Sequence, residues 1–195
     1  MKKGVYIIVM AISFLISETA FSQNSPIDKG SRIVGGGFSV VSIDRGPYKT
    51  MDLTINPSIG VFTRKGLLLG ASLLFERYSA NDYSSTTYGF GPDIRYYFDP
   101  DKTRTKVKGA YYPYLKVSFL YSKTMPRYDY SGYENNDYSY FDWAGAGGFQ
   151  LMFSDAVGGY IELGLGSENY KDDDDDSWHS YHRTTLIAGF SFFLY

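Results

Sequence analysis

Hydrophobic residues alternate with polar or small residues along most of the chain beyond residue 30. Because successive side chains of a β-strand point to opposite faces, this period of two indicates strands and not helices. The alternation recurs in eight segments, roughly Ser31–Ile43, Thr50–Thr63, Gly66–Arg77, Ser84–Phe98, Ala110–Lys123, Tyr138–Phe153, Val157–Tyr170 and Arg183–Tyr195. The pattern therefore predicts an all-β chain of about eight strands.

The two faces of these strands differ in chemistry. In the fourth segment Tyr88, Phe90 and Ile94 share one face, and Asp93 and Arg95 share the other. An apolar outer face and a polar inner face are typical of a transmembrane β-barrel, so we expect an eight-stranded antiparallel up-and-down barrel. The side chains expected to face lipid include Leu69, Leu73, Phe90, Ile94, Val117, Phe119, Ile161 and Leu163.

The connections alternate in length. Tight turns are predicted at 63–66 and 154–156, longer polar loops at 78–83, 124–137 and 171–182, and a shorter loop around 44–48. Short periplasmic turns and longer extracellular loops are typical of outer-membrane barrels. The segment Asp99–Gly109 is an exception, since it would be an unusually long periplasmic turn.

Two features of the strands call for special geometry. Pro57, Pro92 and Pro113 fall within strands, and because proline has no N–H to donate we expect them near strand ends or bulges. In the last segment the more apolar face includes Leu186 and Phe190. If this face points outward, Tyr195, which lies on the other face, points toward the lumen.

The first residues predict export from the cytoplasm. Lys2 and Lys3 precede an apolar run, and Ala20-Phe21-Ser22 supplies the small residues of a cleavage site. Residues 1–22 are therefore interpreted as a cleavable signal peptide, and residues 23–195 as one barrel domain. A barrel with this signal is expected in the outer membrane of a Gram-negative bacterium.

Composition removes several classes of function. The net charge is −2, which argues against nucleic acid as a partner. The chain has no cysteine, so disulfides, thiolate nucleophiles and cysteine-bound metals are excluded. We expect no cofactor and a monomer, with outer-membrane lipid and lipopolysaccharide as surroundings.

The chain resembles small outer-membrane barrels of the OmpA/OmpX type in its signal peptide, its eight amphipathic strands and the aromatic end Phe192-Phe193-Leu194-Tyr195. The segments 55–62, 67–70 and 89–98 are similar to a bacterial "outer membrane protein beta-barrel domain" family. The resemblance implies a fold and a location, and it brings no catalytic residue.

Charged residues gather on the predicted inner face. The candidates for a polar network in the lumen are Glu76, Asp93, Arg95, Lys116, Asp142 and Glu162, with Asp52 and Glu168 on the same parity. Buried charges must pair, and an eight-stranded barrel is just wide enough for side chains to fill it. We therefore predict a hydrogen-bonded plug in which Arg95 contacts at least one acid; a narrow pore is the alternative.

The predicted loops offer two further candidates. Tyr128, Tyr130 and Tyr133 lie among Ser, Gly and Asn, a composition suited to recognition of an extracellular protein or glycan, whereas Tyr138 and Tyr140 suit an aromatic girdle. The acids Asp172, Asp173, Asp174, Asp175 and Asp176 are weak candidates for cation binding, and no metal site is predicted.

Three functions remain open at this point. The first is a non-enzymatic barrel with a structural or adhesive role. The second is a lipid-modifying enzyme, because Ser177, His179, Ser180 and His182 lie beside the acids in the predicted last loop. The third is a soluble periplasmic barrel that carries a ligand, which requires the apolar parity to face inward.

Overall fold

The computed structural model describes residues 25–45, 48–81, 83–99, 107–128, 137–171 and 178–194, with only the backbone at some strand ends. The predicted signal peptide lies outside these residues. The strands are β1 (Arg32–Arg45), β2 (Tyr48–Arg64), β3 (Leu67–Ala80), β4 (Tyr83–Tyr97), β5 (Tyr111–Tyr128), β6 (Tyr138–Met152), β7 (Val157–Lys171) and β8 (Trp178–Leu194). Within the described ranges, no helix has the length and apolar character needed to span a membrane.

The eight strands form one closed barrel in which each strand pairs antiparallel with its neighbours in sequence. The predicted eight-stranded up-and-down antiparallel barrel is thus confirmed. Closure between β1 and β8 is shorter than the other ladders: it runs from Arg32 opposite Leu194 to Phe38 opposite Ala188. Beyond Phe38, β1 continues to Arg45 in register with β2 alone.

The two ends of the barrel differ. The end formed by the start of β1, the end of β8 and the connections 65–66, 98–110 and 153–156 is called the terminal end below. The opposite end, with the connections 46–47, 81–82, 129–137 and 172–177, is called the loop end. Gly66 makes the β2–β3 turn possible, because its φ of +78° is one that other residues rarely adopt.

The strands reach further toward the loop end than the sequence predicts. β5 extends to Tyr128, and β8 begins at Trp178, so the predicted loops at 124–137 and 171–182 are shorter than expected. The loops predicted at 44–48 and 78–83 shrink likewise, to the connections 46–47 and 81–82. In these added residues apolar and polar side chains do not alternate by face, as with Met125 and Arg127 on the outer face of β5, so the period-2 signal is weak there.

The expectation for two of the prolines was wrong. Pro57 pairs with Gly36 in the interior of β2, and Pro92 pairs with Ala71 in the interior of β4. Continuing the β2–β3 register places Pro57 opposite Leu73, whose carbonyl oxygen accepts a hydrogen bond of 2.6 Å from the side-chain amide of Asn56. This side-chain donor compensates for the missing N–H of Pro57. Pro113 lies near the start of β5, as predicted.

The apolar parity faces outward. All eight side chains predicted to face lipid are exposed on the outer surface, with Leu73 and Leu163 both at 57%. On β8, Leu186 and Phe190 are exposed, whereas Phe193 is buried inside the barrel. A soluble ligand carrier requires the apolar face of the strands to point into the barrel, whereas here it points outward. Tyr195 lies outside the described residues.

Apolar side chains fill the lumen at the terminal end, a feature that the sequence analysis did not predict. Phe62 packs against Tyr97 and Phe193, with ring centroids 5.5 and 6.5 Å apart. The segment Ser25–Ser31 crosses this end, and Ile27 is completely buried in the same cluster. Backbone hydrogen bonds hold the segment: the Gly66 N–H donates to the Ile27 carbonyl and the Phe62 N–H donates to the Ser31 carbonyl, each at 2.8 Å.

Candidate functional site

The middle of the lumen contains a buried group of charges centred on Arg95. Its Nε donates a hydrogen bond of 2.8 Å to Asp93 Oδ2, and its Nη2 donates one of 2.9 Å to Ser58 Oγ. The hydroxyl of Ser72 donates to Asp93 Oδ1 at 2.8 Å. The predicted hydrogen bond between Arg95 and an acid is therefore present, with Asp93 as the partner.

A second ion pair lies beside the first. Lys116 stands directly opposite Arg95 in the β4–β5 ladder. Lys116 Nζ lies 3.0 Å from Glu162 Oε1 on β7, and Tyr114 donates from its hydroxyl to Glu162 Oε2 at 3.0 Å. The two cations and two acids sum to zero charge, and all four side chains are buried.

Arg183 forms a third cationic centre nearer the loop end, and the sequence analysis missed it. Its Nη1 lies 2.8 Å from Glu76 Oε2 and its Nη2 lies 3.4 Å from Asp142 Oδ2. The contact thus joins β8 to β3 and β6 across the lumen. The signal was available: Arg183 has the opposite parity to Leu186 and Phe190, whose apolar face was assigned outward.

A cavity of about 170 Å³ lies in the lumen beside Lys116 and Arg183. Asp52, Glu76, Asp142 and Arg183 line it, together with Ser39 of β1. The Oδ1 atom of Asp52 is buried there without a hydrogen-bond partner in the described residues. The acids predicted on separate strands therefore do meet in one space, with Asp52 as an additional member.

The other predicted residues are placed less fully. Tyr128 ends β5, and its side chain lies outside the described residues, as do Tyr130, Tyr133 and the acids 172–176. His179 and His182 lie on β8 and not in a loop, and His182 is exposed. Ser180 shares a hydrogen bond of 2.6 Å with Ser167. In the described residues, no group of three or more acidic or histidine side chains is placed to hold a metal ion.

Three solved structures share this architecture. The outer membrane protein OprG from Pseudomonas aeruginosa is 12% identical, covers 90% of this chain and 100% of its own, and superposes with a TM-score of 0.56. The N-terminal β-barrel domain of Pseudomonas aeruginosa OprF is 12% identical, with coverages of 86% and 98% and a TM-score of 0.53. Neisserial surface protein A is 13% identical, with coverages of 83% and 94% and a TM-score of 0.50.

Sequence comparison adds nothing to these structural matches: no family model matches the chain, and no curated protein does. The closed antiparallel barrel, the outward direction of its apolar side chains and the three solved structures above agree with one another. The chain has the fold of the eight-stranded outer-membrane β-barrels.

Proposed function

We propose that this protein is a non-enzymatic barrel of the bacterial outer membrane. Its lumen is plugged, and its role is structural or is recognition through the loop end. The outward apolar parity supports the membrane location, because large hydrophobic side chains exposed on every strand would aggregate in water. The signal peptide predicted over residues 1–22 agrees with export.

One observation carries the proposal of a plugged lumen: the apolar cluster at the terminal end. Phe62, Tyr97 and Phe193 are each at most 2% exposed, and Ile27 of the crossing segment packs in the same cluster. Above this cluster, the ion pairs of Arg95, Lys116 and Arg183 join side chains from several strands. A tightly packed apolar layer excludes water and ions, so it supports a barrier instead of a pore.

Electrical recording in planar bilayers tests the plug. The parent protein should produce no steady current above that of the bare bilayer. The double variant Phe62→Ala, Phe193→Ala should increase the frequency of brief openings, because it empties the apolar layer. Phe190→Ala is the matched control, since Phe190 lies on the same strand but faces outward. Steady currents from the parent protein would establish the pore instead.

Recognition through the loop end rests on composition. The segment around Tyr128, Tyr130 and Tyr133 combines tyrosine with Ser, Gly and Asn, and large aromatic rings give contact area at low entropic cost. Cells that display the protein should bind a subset of immobilised extracellular proteins or glycans. Replacing the three tyrosines by serine should abolish that binding. Equal binding by the parent and the variant would contradict recognition through these tyrosines and support the structural role.

A further inference from the structure

The outer surface of the barrel carries a groove over strands β2 to β5. Its volume is about 580 Å³, and its lining is almost entirely apolar. Ile55, Pro57 and Leu73 line it on β2 and β3, Phe90 and Tyr121 line it on β4 and β5, and Lys123 lies toward the loop end. The groove faces the surroundings of the barrel, and its shape departs from that of a smooth lipid-facing wall.

Two pairs of aromatic rings wall this groove. Phe75 and Tyr88 lie 5.4 Å apart between ring centroids across β3 and β4, and Phe90 and Tyr121 lie 6.1 Å apart across β4 and β5. Ring pairs of this kind stabilise one another by about 0.5–1.5 kcal/mol, which favours the observed arrangement of the walls. An apolar groove between rings suits a single acyl chain of a lipid, because the acyl chain makes more van der Waals contacts there than against a convex surface.

Two cations flank the loop end of the groove. Lys123 stands opposite Tyr88 in the β4–β5 ladder, and Arg77 stands opposite Thr86 in the β3–β4 ladder. Both side chains are exposed, and both lie one strand away from β4, so about 10 Å separates their strands. Guanidinium and ammonium groups at this separation can contact the same phosphate-bearing headgroup.

The present partners of these cations leave room for an anion. Lys123 Nζ lies 2.9 Å from Asp137 Oδ2, but both side chains are about half exposed, so the attraction is weak. Arg77 donates to the hydroxyl of Thr86 at 2.8 Å, and this contact does not neutralise its charge. A phosphate group can therefore join both cations at modest cost.

We propose that the groove binds one phosphorylated lipid of the outer leaflet. An acyl chain lies between the two ring pairs, and the headgroup phosphate lies between Lys123 and Arg77. The site rests on the membrane location and not on the plugged lumen or on loop recognition. It is therefore a fixed lipid site at one side of the barrel, distinct from the general annulus of lipid around it.

The test uses the full protein in nanodiscs of phosphatidylcholine, titrated with diphosphoryl lipid A as the probe and observed by native mass spectrometry. One lipid A should remain bound after the annular lipid has been stripped. Lys123→Gln should weaken retention about fivefold, and adding Arg77→Gln should weaken it about fivefold again, since each cation near the membrane surface contributes a similar amount. The parent should retain fully dephosphorylated lipid A no better than the double variant retains diphosphoryl lipid A. Inorganic phosphate should not displace diphosphoryl lipid A from the parent.

Matched controls separate this site from general effects. Lys65→Gln removes an equally exposed lysine that is also paired with an acid, Asp99, at the terminal end. Leu73→Trp should fill the groove and lower retention, whereas Leu163→Trp changes an equally exposed leucine on β7. The heat-dependent gel shift verifies that each variant is folded. Equal retention by the parent, the Lys123 variants and the Leu73 variant would overturn the proposal.

Discussion

Arg95 and Lys116 place two positive charges opposite each other in one layer of the lumen. Like charges directly opposite across two strands are destabilising, and burial makes each of them more costly. Asp93 approaches the pair from β4 and Glu162 from β7, at 2.8 and 3.0 Å. Each cation thus has its own carboxylate, and removing any one member leaves an uncompensated buried charge.

Replacing Arg95 with alanine should reduce the free energy of unfolding by about 3–5 kcal/mol, as breaking a buried ion pair does. The loss has a physical cause: the carboxyl group of Asp93 would lose its cationic partner in a site that is only 1% exposed. Urea unfolding in detergent micelles, followed by the gel shift of the folded barrel, measures the change. Arg77→Ala, at an exposed arginine, should cost less than about 1 kcal/mol; an equal cost at both positions would contradict the buried network.

The pair of Lys116 and Glu162 permits a double-mutant cycle. The variants Lys116→Met and Glu162→Gln should each destabilise the barrel, and the double variant should lose less than the sum. We expect a coupling energy of about 1–3 kcal/mol, because the two side chains are in direct contact. Additive losses would mean that the 3.0 Å contact contributes nothing to stability.

At the scale of the strands, large apolar side chains are exposed on the outer face of all eight strands. Arginine in place of Leu73 or Ile161 should destabilise the inserted barrel, because both side chains lie on the exposed apolar face. The cost is about 2–4 kcal/mol for a site at the bilayer midplane. The matched substitution Tyr133→Arg lies in the predicted loop and should be nearly silent. Unfolding from lipid vesicles compares the three variants. Equal tolerance at all three positions would count against a lipid-facing band.

The seam between β1 and β8 is the shortest ladder of the barrel. Beyond Phe38, the amides of β1 that point away from β2 have no ladder partner in the β1–β8 register. Hydrogen exchange should therefore be faster at alternate amides from Ser39 to Arg45 than from Arg32 to Phe38. Uniform protection along β1 would show that the seam is closed over its whole length.

The sequence predicts the number of strands, their order and their parity, since period-2 alternation depends directly on which face meets lipid. The prediction fails where the difference between the apolar and the polar face of a strand is small. At the loop end β5 extends beyond the predicted end at Lys123 to Tyr128. There Met125 and Arg127 share the outer face and Thr124 and Pro126 share the inner face, so no alternation marks the strand. The interior position of Pro57 could not be predicted either, because the compensating hydrogen bond of Asn56 depends on a neighbouring strand.

At the scale of the whole molecule, the lumen has two unlike halves. The terminal end is packed mainly by apolar and aromatic side chains, among them Ile27 of a segment that precedes the first strand. The loop-end half contains the Arg183 contacts and the cavity beside Asp52. Parity predicts that Phe62, Tyr97 and Phe193 point inward but not that they pack together, because their contacts join strands that are distant in sequence. The crossing of residues 25–31 has no periodic signal at all.

The central claim is that alternate side chains of each strand face lipid and the remaining ones face a filled lumen. Because the chain has no cysteine, single cysteines can be introduced one at a time from Val117 to Ser122 on β5 and spin-labelled in lipid vesicles. Collisions with oxygen, which concentrates in lipid, should be frequent at 117, 119 and 121, whose side chains are exposed. They should be rare at 118, 120 and 122, whose side chains are buried. Equal accessibility at all six positions, or maxima at the even positions, would contradict the account.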